Sequence, residues 1–129
     1  MILLDTNALL WLYIDDGNLG PKARERIVSA DRVCYSSVSV SEIVIKHMLR
    51  RLPLPGGDEL PGIFDAAGLE ELPFVSRHAR MMLGEPSLAR HDPFDRLLVA
   101  QAEGEGADFL TADRTLLGMG KPWVYDARR

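Results

Sequence analysis

The sequence contains a single cysteine, Cys34, in 129 residues. One thiol excludes an intrachain disulfide and a metal cage built from several thiolates. Cys34 stands between Val33 and Tyr35 in a run typical of a buried strand, and a free cysteine in such a place is usually a small core residue. We therefore expect the fold to depend on a hydrophobic core rather than on covalent cross-links.

A long hydrophobic run is also missing. No stretch approaches the roughly 20 apolar residues that a membrane-spanning helix needs. The first residues, Met1 to Asp5, have no basic region and reach an acid almost at once, whereas a secretory signal begins with positive charge. We expect a cytoplasmic protein with no membrane partner.

Positive charge is scarce, since 15 Lys and Arg residues against 19 Asp and Glu residues give a net charge of −4. Simple nucleic-acid-binding domains are normally basic, so this balance counts against that class. A nuclease whose bound cations supply positive charge is still compatible with it, as is a protein that meets a basic partner. A glycine-rich nucleotide-binding loop after a strand is absent as well.

The remaining composition is ordinary for a globular fold. Hydrophobic residues make up 47% of the chain and charged residues 26%, which counts against disorder as the main state. The length suits one compact domain, which we expect to span residues 1–129.

Apolar runs and helix signals alternate along the chain. Strands are predicted at 2–4, 33–36, 72–75, 108–111 and 122–125, and helices at 8–13, 21–30, 39–52, 58–68, 76–83, 92–104 and 113–117. Strands that alternate with helices imply an α/β fold, in which helices cover both faces of a mainly parallel sheet. Ligand sites of such sheets lie outside the carboxyl ends of the strands.

Four acids are predicted to meet at that edge. Asp5 directly follows the first strand, and Asp113 follows the strand 108–111 after one alanine. Glu42 and Asp95 lie in the first turns of two predicted helices. Because strand ends and the starts of the following helices share one edge of a parallel sheet, we expect the four carboxylates to converge.

Each of these acids also fits an ordinary helix-capping role. Ser39 and Glu42 have the spacing of a capping box, and Asp92 fits an N-cap three residues before Asp95. The other two acids fit simple caps, and all four gain from the positive end of a helix dipole. Taken singly, each acid leaves this alternative open.

Helix periodicity favours a shared site. Glu42 and Asp95 are predicted to lie above apolar stripes that face the core, formed by Val38, Ile45, Leu49 and Leu52 and by Leu98, Val99 and Ala102. Unpaired carboxylates gathered there repel one another, and a divalent cation removes the repulsion. A ligand set of oxygens without cysteine suits Mg²⁺ or Mn²⁺ rather than zinc. Such an ion keeps positions open for phosphate oxygens, as phosphodiester hydrolysis requires.

Short polar side chains accompany the acids. Thr6, Asn7 and Thr111 are placed to orient a carboxylate or a water, and capping explains them almost as well. Asp92 fits an N-cap that pairs with Arg96 four residues later, with support of the metal site as the alternative.

Basic residues and histidines are weaker candidates. Lys46, Arg50 and Arg51 lie on or near one side of the third predicted helix, either as a solvated face or as contacts to RNA phosphates. The chain has three histidines, His47, His78 and His91. None has metal-ligand spacing with another histidine, so we expect no catalytic role for them.

Four segments together resemble a known family, the PIN-domain toxins of the VapC type. They are Leu3–Trp11, Val40–Lys46, His91–Ala102 and Leu110–Asp113, in the family's order and spacing. The block His91–Ala102, with its Asp-Pro-Phe-Asp-Arg core, is the most specific, whereas Asp-Thr-Asn after a strand would be weak by itself.

This resemblance implies a PIN-like three-layer α/β/α sandwich and Mg²⁺- or Mn²⁺-dependent endoribonuclease activity. It implies that Asp5, Glu42, Asp95 and Asp113 form the acidic, metal-binding site. It further implies the toxin of a type II toxin–antitoxin pair, an RNA substrate, a small VapB-type antitoxin partner and a homodimer.

Other functions stay open at this stage. A phosphatase of the haloacid-dehalogenase type also has an aspartate after its first strand, but it needs a second acid where Asn7 stands. A catalytically silent PIN domain that only binds antitoxin or RNA would be expected to lack one or more of the four acids. A DNA-cleaving nuclease of the same architecture shares the metal chemistry. The sequence also departs from close family members at Arg50-Arg51, where Gly-Lys is frequent, and at Asn7, where a histidine is frequent.

Overall fold

A single five-stranded parallel sheet forms the centre of the protein, and the computed structural model describes all 129 residues. Its strands are β1 (Ile2–Leu4), β2 (Val33–Ser36), β3 (Glu70–Leu72), β4 (Asp108–Thr111) and β5 (Val124–Asp126). They are ordered β3-β2-β1-β4-β5, and every neighbouring pair is parallel. The predicted α/β fold with a parallel sheet is therefore confirmed.

Seven α-helices connect and cover the strands. They are α1 (Thr6–Tyr13), α2 (Pro21–Ser29), α3 (Ser37–Met48), α4 (Gly62–Ala66), α5 (Ser76–Met81), α6 (Pro93–Glu105) and α7 (Arg114–Leu117). Short 3₁₀ turns lie at Gly57–Glu59, Met82–Gly84 and Pro86–Leu88. The longest helix, α6, has 13 residues, and no helix is long and apolar enough to cross a lipid bilayer.

Two hydrophobic clusters lie on opposite faces of the sheet, because successive side chains of a strand point to opposite sides. Leu4 and Tyr35 contribute to the cluster that packs under α1, α2 and α4. Leu3 and Cys34 contribute to the cluster that packs under α6 and α7. Cys34 is fully buried, as expected. The result is three layers with the sheet in the middle.

The third strand lies earlier in the chain than the sequence predicts, and the two ranges share only Leu72. It spans Glu70–Leu72 rather than 72–75, and it pairs only with β2 at the edge of the sheet. Two of its three side chains are exposed glutamates, which an edge strand tolerates because one side of it faces solvent. The last strand likewise lies at Val124–Asp126 rather than 122–125.

Two predicted helices have different limits. The helix expected at 39–52 begins at Ser37, capped by the Ser36 hydroxyl, which accepts a hydrogen bond from the Val38 amide at 3.0 Å. It ends at Met48, and Arg50 follows in the left-handed region with a φ of 59°. The helix expected at 58–68 is reduced to α4, because Pro61 lacks an amide proton and stands at its N-cap.

The apolar stripe predicted below Glu42 is not a buried stripe. Val38 is buried, but Ile45 is 44% exposed and Leu49 is 60% exposed beyond the end of α3. The stripe predicted on α6 is buried as expected. Glu42 is nevertheless buried, and the other buried residues of α3 are Val38, Ser39 and Ile43.

Candidate active site

Asp5 and Asp113 follow the two adjacent central strands, β1 and β4, and each caps the next helix. One oxygen of Asp5 accepts a hydrogen bond from the Ala8 amide at 2.7 Å. One oxygen of Asp113 accepts from the Leu116 amide at 3.0 Å. The capping role proposed for both acids is therefore real, but it occupies only one oxygen of each carboxylate.

The second oxygen of Asp5 is held by Thr111 at the end of β4. The Thr111 hydroxyl donates to Asp5 Oδ2 at 2.6 Å and accepts a hydrogen bond from the Asp113 amide at 3.1 Å. Thr111 therefore links the two strand-end acids and fixes their spacing. This is the orienting role predicted as one alternative for the residue.

Glu42 lies in the second turn of α3, and its carboxylate is held by two donors. The Thr6 hydroxyl donates to Oε1 at 2.6 Å, and Lys46 Nζ lies 2.5 Å from Oε2. Thr6 also lies 2.9 Å from the Ser39 hydroxyl. The capping box predicted between Ser39 and Glu42 is wrong, because the helix begins two residues earlier and Glu42 turns toward α1 instead.

Asp95 is the third residue of α6, and Asp92 caps that helix. Asp92 Oδ1 accepts from the Phe94 and Asp95 amides at 2.9 and 3.2 Å, as predicted for an N-cap. Arg96 does not pair with Asp92, because its guanidinium donates to the Ala89 carbonyl at 2.7 Å. Since a helix that precedes a parallel strand runs against the strand direction, the start of α6 lies at the carboxyl edge of the sheet.

A histidine joins the acids, which the sequence did not predict. His91 Nε2 lies 3.4 Å from Asp95 Oδ2 and 3.4 Å from Asp113 Oδ2. The other two histidines do not approach the acids, because His47 contacts the Leu52 carbonyl and His78 is held between the Val75 amide and Glu105. The sequence did contain a signal for this contact, because His91 stands four residues before Asp95. A search for spacing between histidines alone misses it.

The acids influence one another electrostatically. Burial raises the pKa of Asp5 to about 6, although hydrogen bonds from Thr111 and the amides of Ala8 and Ala112 oppose the rise. Burial also raises the pKa of Asp95 to about 7, with further increases from four neighbouring carboxylates: Asp92, Asp113, Asp5 and Glu42. The gathered negative charge is therefore only partly compensated by the side chains around it.

The side chains fit a divalent cation. One ligand atom each of His91, Asp95 and Asp113 lies within 4.8 Å of the other two. His91 Nε2 is buried and has no hydrogen-bond partner, although a buried polar atom is normally paired. A nitrogen without a hydrogen-bond partner that faces two carboxylates forms, together with their oxygens, a set of ligand atoms that a metal ion can bind.

The remaining candidates divide into those near the acids and those away from them. Thr6, Thr111 and Lys46 contact the acids directly. Asn7 is exposed and makes no side-chain hydrogen bond, so no orienting contact is seen for it. Arg50 and Arg51 are exposed beyond the end of α3 and form no ion pair with an acid.

Comparison with known proteins places this arrangement in a family. The sequence matches the family model of the PIN domain over residues 2–121. No curated protein matches it significantly.

Among solved structures, the protein resembles VapBC2 from Rickettsia felis bound to a promoter DNA fragment, at 15% identity, a TM-score of 0.69 and 98% coverage of both chains. It resembles DNA-bound VapBC from Salmonella typhimurium at 21% identity and a TM-score of 0.69, covering 97% of this chain and 96% of the other. FitAcB from Neisseria gonorrhoeae gives 25% identity and a TM-score of 0.55 over 88% of each chain. The family model covers nearly the whole chain, and the protein belongs to the PIN-domain family.

Proposed function

We propose that this protein is a metal-dependent endoribonuclease and the toxin of a type II toxin–antitoxin pair. The observation that carries the proposal is the meeting of Asp95, Asp113 and His91, whose ligand atoms lie within 4.8 Å of one another beside Asp5 and Glu42. These five residues come from four segments of the chain. Folding brings the segments to the edge of the sheet where ligands of parallel α/β proteins bind.

Asp5, Asp95 and Asp113 are the residues proposed to hold Mg²⁺ or Mn²⁺. Each of Asp5 and Asp113 caps a helix with one oxygen. Asp113 offers its other oxygen, and Asp5 offers the lone pairs of Oδ2 that do not accept from Thr111. When bound, a divalent cation stabilises the negative charge that develops on the phosphate and lowers the pKa of water. Thr111 holds Asp5 and Asp113 at fixed spacing, so the site is ordered before an ion or substrate arrives.

Glu42 is proposed to act on the attacking water. Its two oxygens are oriented by Thr6 and Lys46, which leaves the remaining lone pairs to accept a hydrogen bond from water. As the water oxygen attacks phosphorus, one water proton passes to the Glu42 carboxylate. The bond from phosphorus to the ribose 3′ oxygen breaks, and that oxygen takes a proton from solvent. The products are a 5′-phosphate and a 3′-hydroxyl.

The proposed partner is a small VapB-type antitoxin, with a homodimer as the assembly. The similar structures from Rickettsia felis and Salmonella typhimurium are VapBC proteins, and this supports the proposal by analogy. The protein also exposes apolar side chains at the ends of α1 and α3, including Ile14, Met48 and Leu49 at 60–75% exposure.

The proposal is tested by cleavage of labelled total RNA with purified, antitoxin-free protein in Mg²⁺, in Mn²⁺ and in EDTA. Asp5→Asn and Asp95→Asn are compared with Asp58→Asn, a control at an exposed acid. We expect metal-dependent cutting that the first two variants lose and the control retains. A fully active Asp5→Asn protein would refute the site assignment.

The alternatives are separated by the same assay. A matched single-stranded DNA substrate distinguishes a ribonuclease from a DNA-cleaving enzyme. Folded protein that binds metal and cuts no RNA under any condition would favour the silent, binding-only PIN domain. Membership of the PIN family leaves the phosphatase alternative without support.

A further inference from the structure

His91 occupies a place in the site that neither capping nor core packing explains. Its Nε2 atom is buried, has no hydrogen-bond partner and lies at equal distances of 3.4 Å from Asp95 Oδ2 and Asp113 Oδ2. Both contacts lie at ion-pair distance for a protonated ring but outside hydrogen-bond geometry. A histidine that only stabilised the fold would be expected to make a normal hydrogen bond, as His78 Nε2 does with Glu105 at 2.7 Å.

The backbone before α6 holds the ring in this place. The His91 amide donates to the Leu88 carbonyl at 3.0 Å, which closes a turn. Arg96 donates to the Ala89 carbonyl at 2.7 Å and thereby ties the same turn to α6. The segment is therefore fixed relative to Asp95, which lies on the first turn of that helix. Fixed backbone on both sides is what a ligand residue requires.

The distances are close to those of a coordination sphere. An octahedral ion with bonds of about 2.1 Å separates adjacent ligand atoms by about 3 Å and opposite ones by about 4.2 Å. The nitrogen lies 3.4 Å from both oxygens, and all three atoms lie within 4.8 Å of one another. These separations are in the range expected for residues that share one ion.

We propose that His91 binds the metal ion directly through Nε2, so that the site contains nitrogen as well as oxygen and prefers Mn²⁺ to Mg²⁺. This inference rests on the metal-dependent function proposed above. It replaces the oxygen-only ligand set expected from the sequence. Imidazole nitrogen suits transition-metal ions, whereas Mg²⁺ selects oxygen ligands and retains its waters.

The direct test is pulsed electron paramagnetic resonance of Mn²⁺ added to the full-length, antitoxin-free protein. We expect a hyperfine coupling from one ¹⁴N nucleus, replaced by a ¹⁵N coupling when histidine is isotopically labelled. This measurement needs no variant, so it stands even where a substitution at His91 prevents folding. The coupling should disappear in His91→Gln and persist in His47→Gln, whose side chain contacts the Leu52 carbonyl instead.

Affinity provides the second readout. We expect His91→Gln to weaken Mn²⁺ binding by roughly tenfold or more, the usual range for losing a metal-site residue. Mg²⁺ binding, measured by displacement of Mn²⁺, should change much less, so the Mn²⁺ to Mg²⁺ preference should fall. Mn²⁺ bound without a histidine coupling, or with unchanged affinity in His91→Gln, would overturn the inference while leaving the proposed nuclease intact. Wild-type protein that binds no Mn²⁺ would instead contradict the proposed function itself.

Discussion

The Thr111 hydroxyl, at the end of β4, donates a hydrogen bond of 2.6 Å to Asp5 Oδ2, which follows the neighbouring strand β1. The donor lies 106 residues along the chain from its acceptor, so the bond exists only when β1 and β4 are paired in register. It is fully buried, and it stabilises the charged form of a carboxyl whose pKa is raised by burial to about 6.

Replacement of Thr111 by Val should raise the pKa of Asp5 in the metal-free protein. Val keeps the shape and loses the donor, so the pKa of Asp5 should rise by roughly one unit, which corresponds to about 1.4 kcal/mol. The titration of the Asp5 carboxyl, followed by NMR in the metal-free protein in EDTA, should move to higher pH by that amount. Thr115→Val, at an exposed position of α7, is the control, and an identical shift in both variants would contradict the assignment.

Metal-free protein should become less stable as pH rises from about 4 to about 7. The pKa of Asp5 is about 6 and that of Asp95 about 7, against an ordinary value of 3.8. Both carboxyls hold their protons more tightly in the folded than in the unfolded state. The folded state is therefore favoured at low pH, and this advantage is lost as pH passes through the folded-state pKa values.

Asp95→Asn isolates this effect. At pH 8 in EDTA we expect the variant to be more stable than the wild type by about 2 kcal/mol, after allowance for the partial exposure of Asp95. At pH 4 the two proteins should be nearly equal. Urea denaturation at both pH values measures the difference. A variant that is destabilised equally at both would mean that Asp95 carries no burial penalty as a charge.

Divalent metal should reverse the loss of stability at neutral pH. An ion that binds only the folded state at a hundred times its dissociation constant adds about 2.7 kcal/mol to the free energy of unfolding. We expect a higher Tm with Mn²⁺ or Mg²⁺ at pH 7.5, and no such increase in Asp95→Asn. Asp58→Asn should respond as the wild type does. Equal responses in all three proteins would place the ion elsewhere.

The strand-end acids could be predicted because their positions depend only on local sequence. Asp5 and Asp113 stand directly after apolar runs, and the parallel order of β1 and β4 brings such positions together. The helix caps formed by both acids were likewise visible. The sequence left capping and a shared site as alternatives for these acids. In the structure each acid caps a helix with one oxygen, while Asp5 Oδ2 accepts from Thr111 and Asp113 Oδ2 lies 3.4 Å from His91.

Features that depend on tertiary context could not be predicted. Glu70 and Glu71 can belong to a strand because β3 lies at the edge of the sheet. Two adjacent charged residues do not have the apolar pattern from which strands are predicted, so the sequence did not predict these residues as part of β3. Ile45 and Leu49 have helical spacing but remain exposed, since periodicity does not define where the packing surface ends. His91 approaches Asp113 only after the turn before α6 folds against the end of β4.

A substitution of Lys46 tests whether this residue orients Glu42, the side chain proposed to act on water, or binds RNA. Its ammonium group lies 2.5 Å from Glu42, whereas Arg50 is exposed and forms no ion pair. Lys46→Met should therefore lower kcat by roughly tenfold, the scale expected when a residue that orients a functional group is lost, with KM nearly unchanged. Loss of a phosphate contact would instead raise KM and reduce the dependence of binding on salt. Arg50→Met is the matched control, and steady-state cleavage of a defined RNA at two salt concentrations measures both quantities. A changed KM and salt dependence in Lys46→Met would assign the residue to RNA binding and leave Glu42 oriented by Thr6 alone.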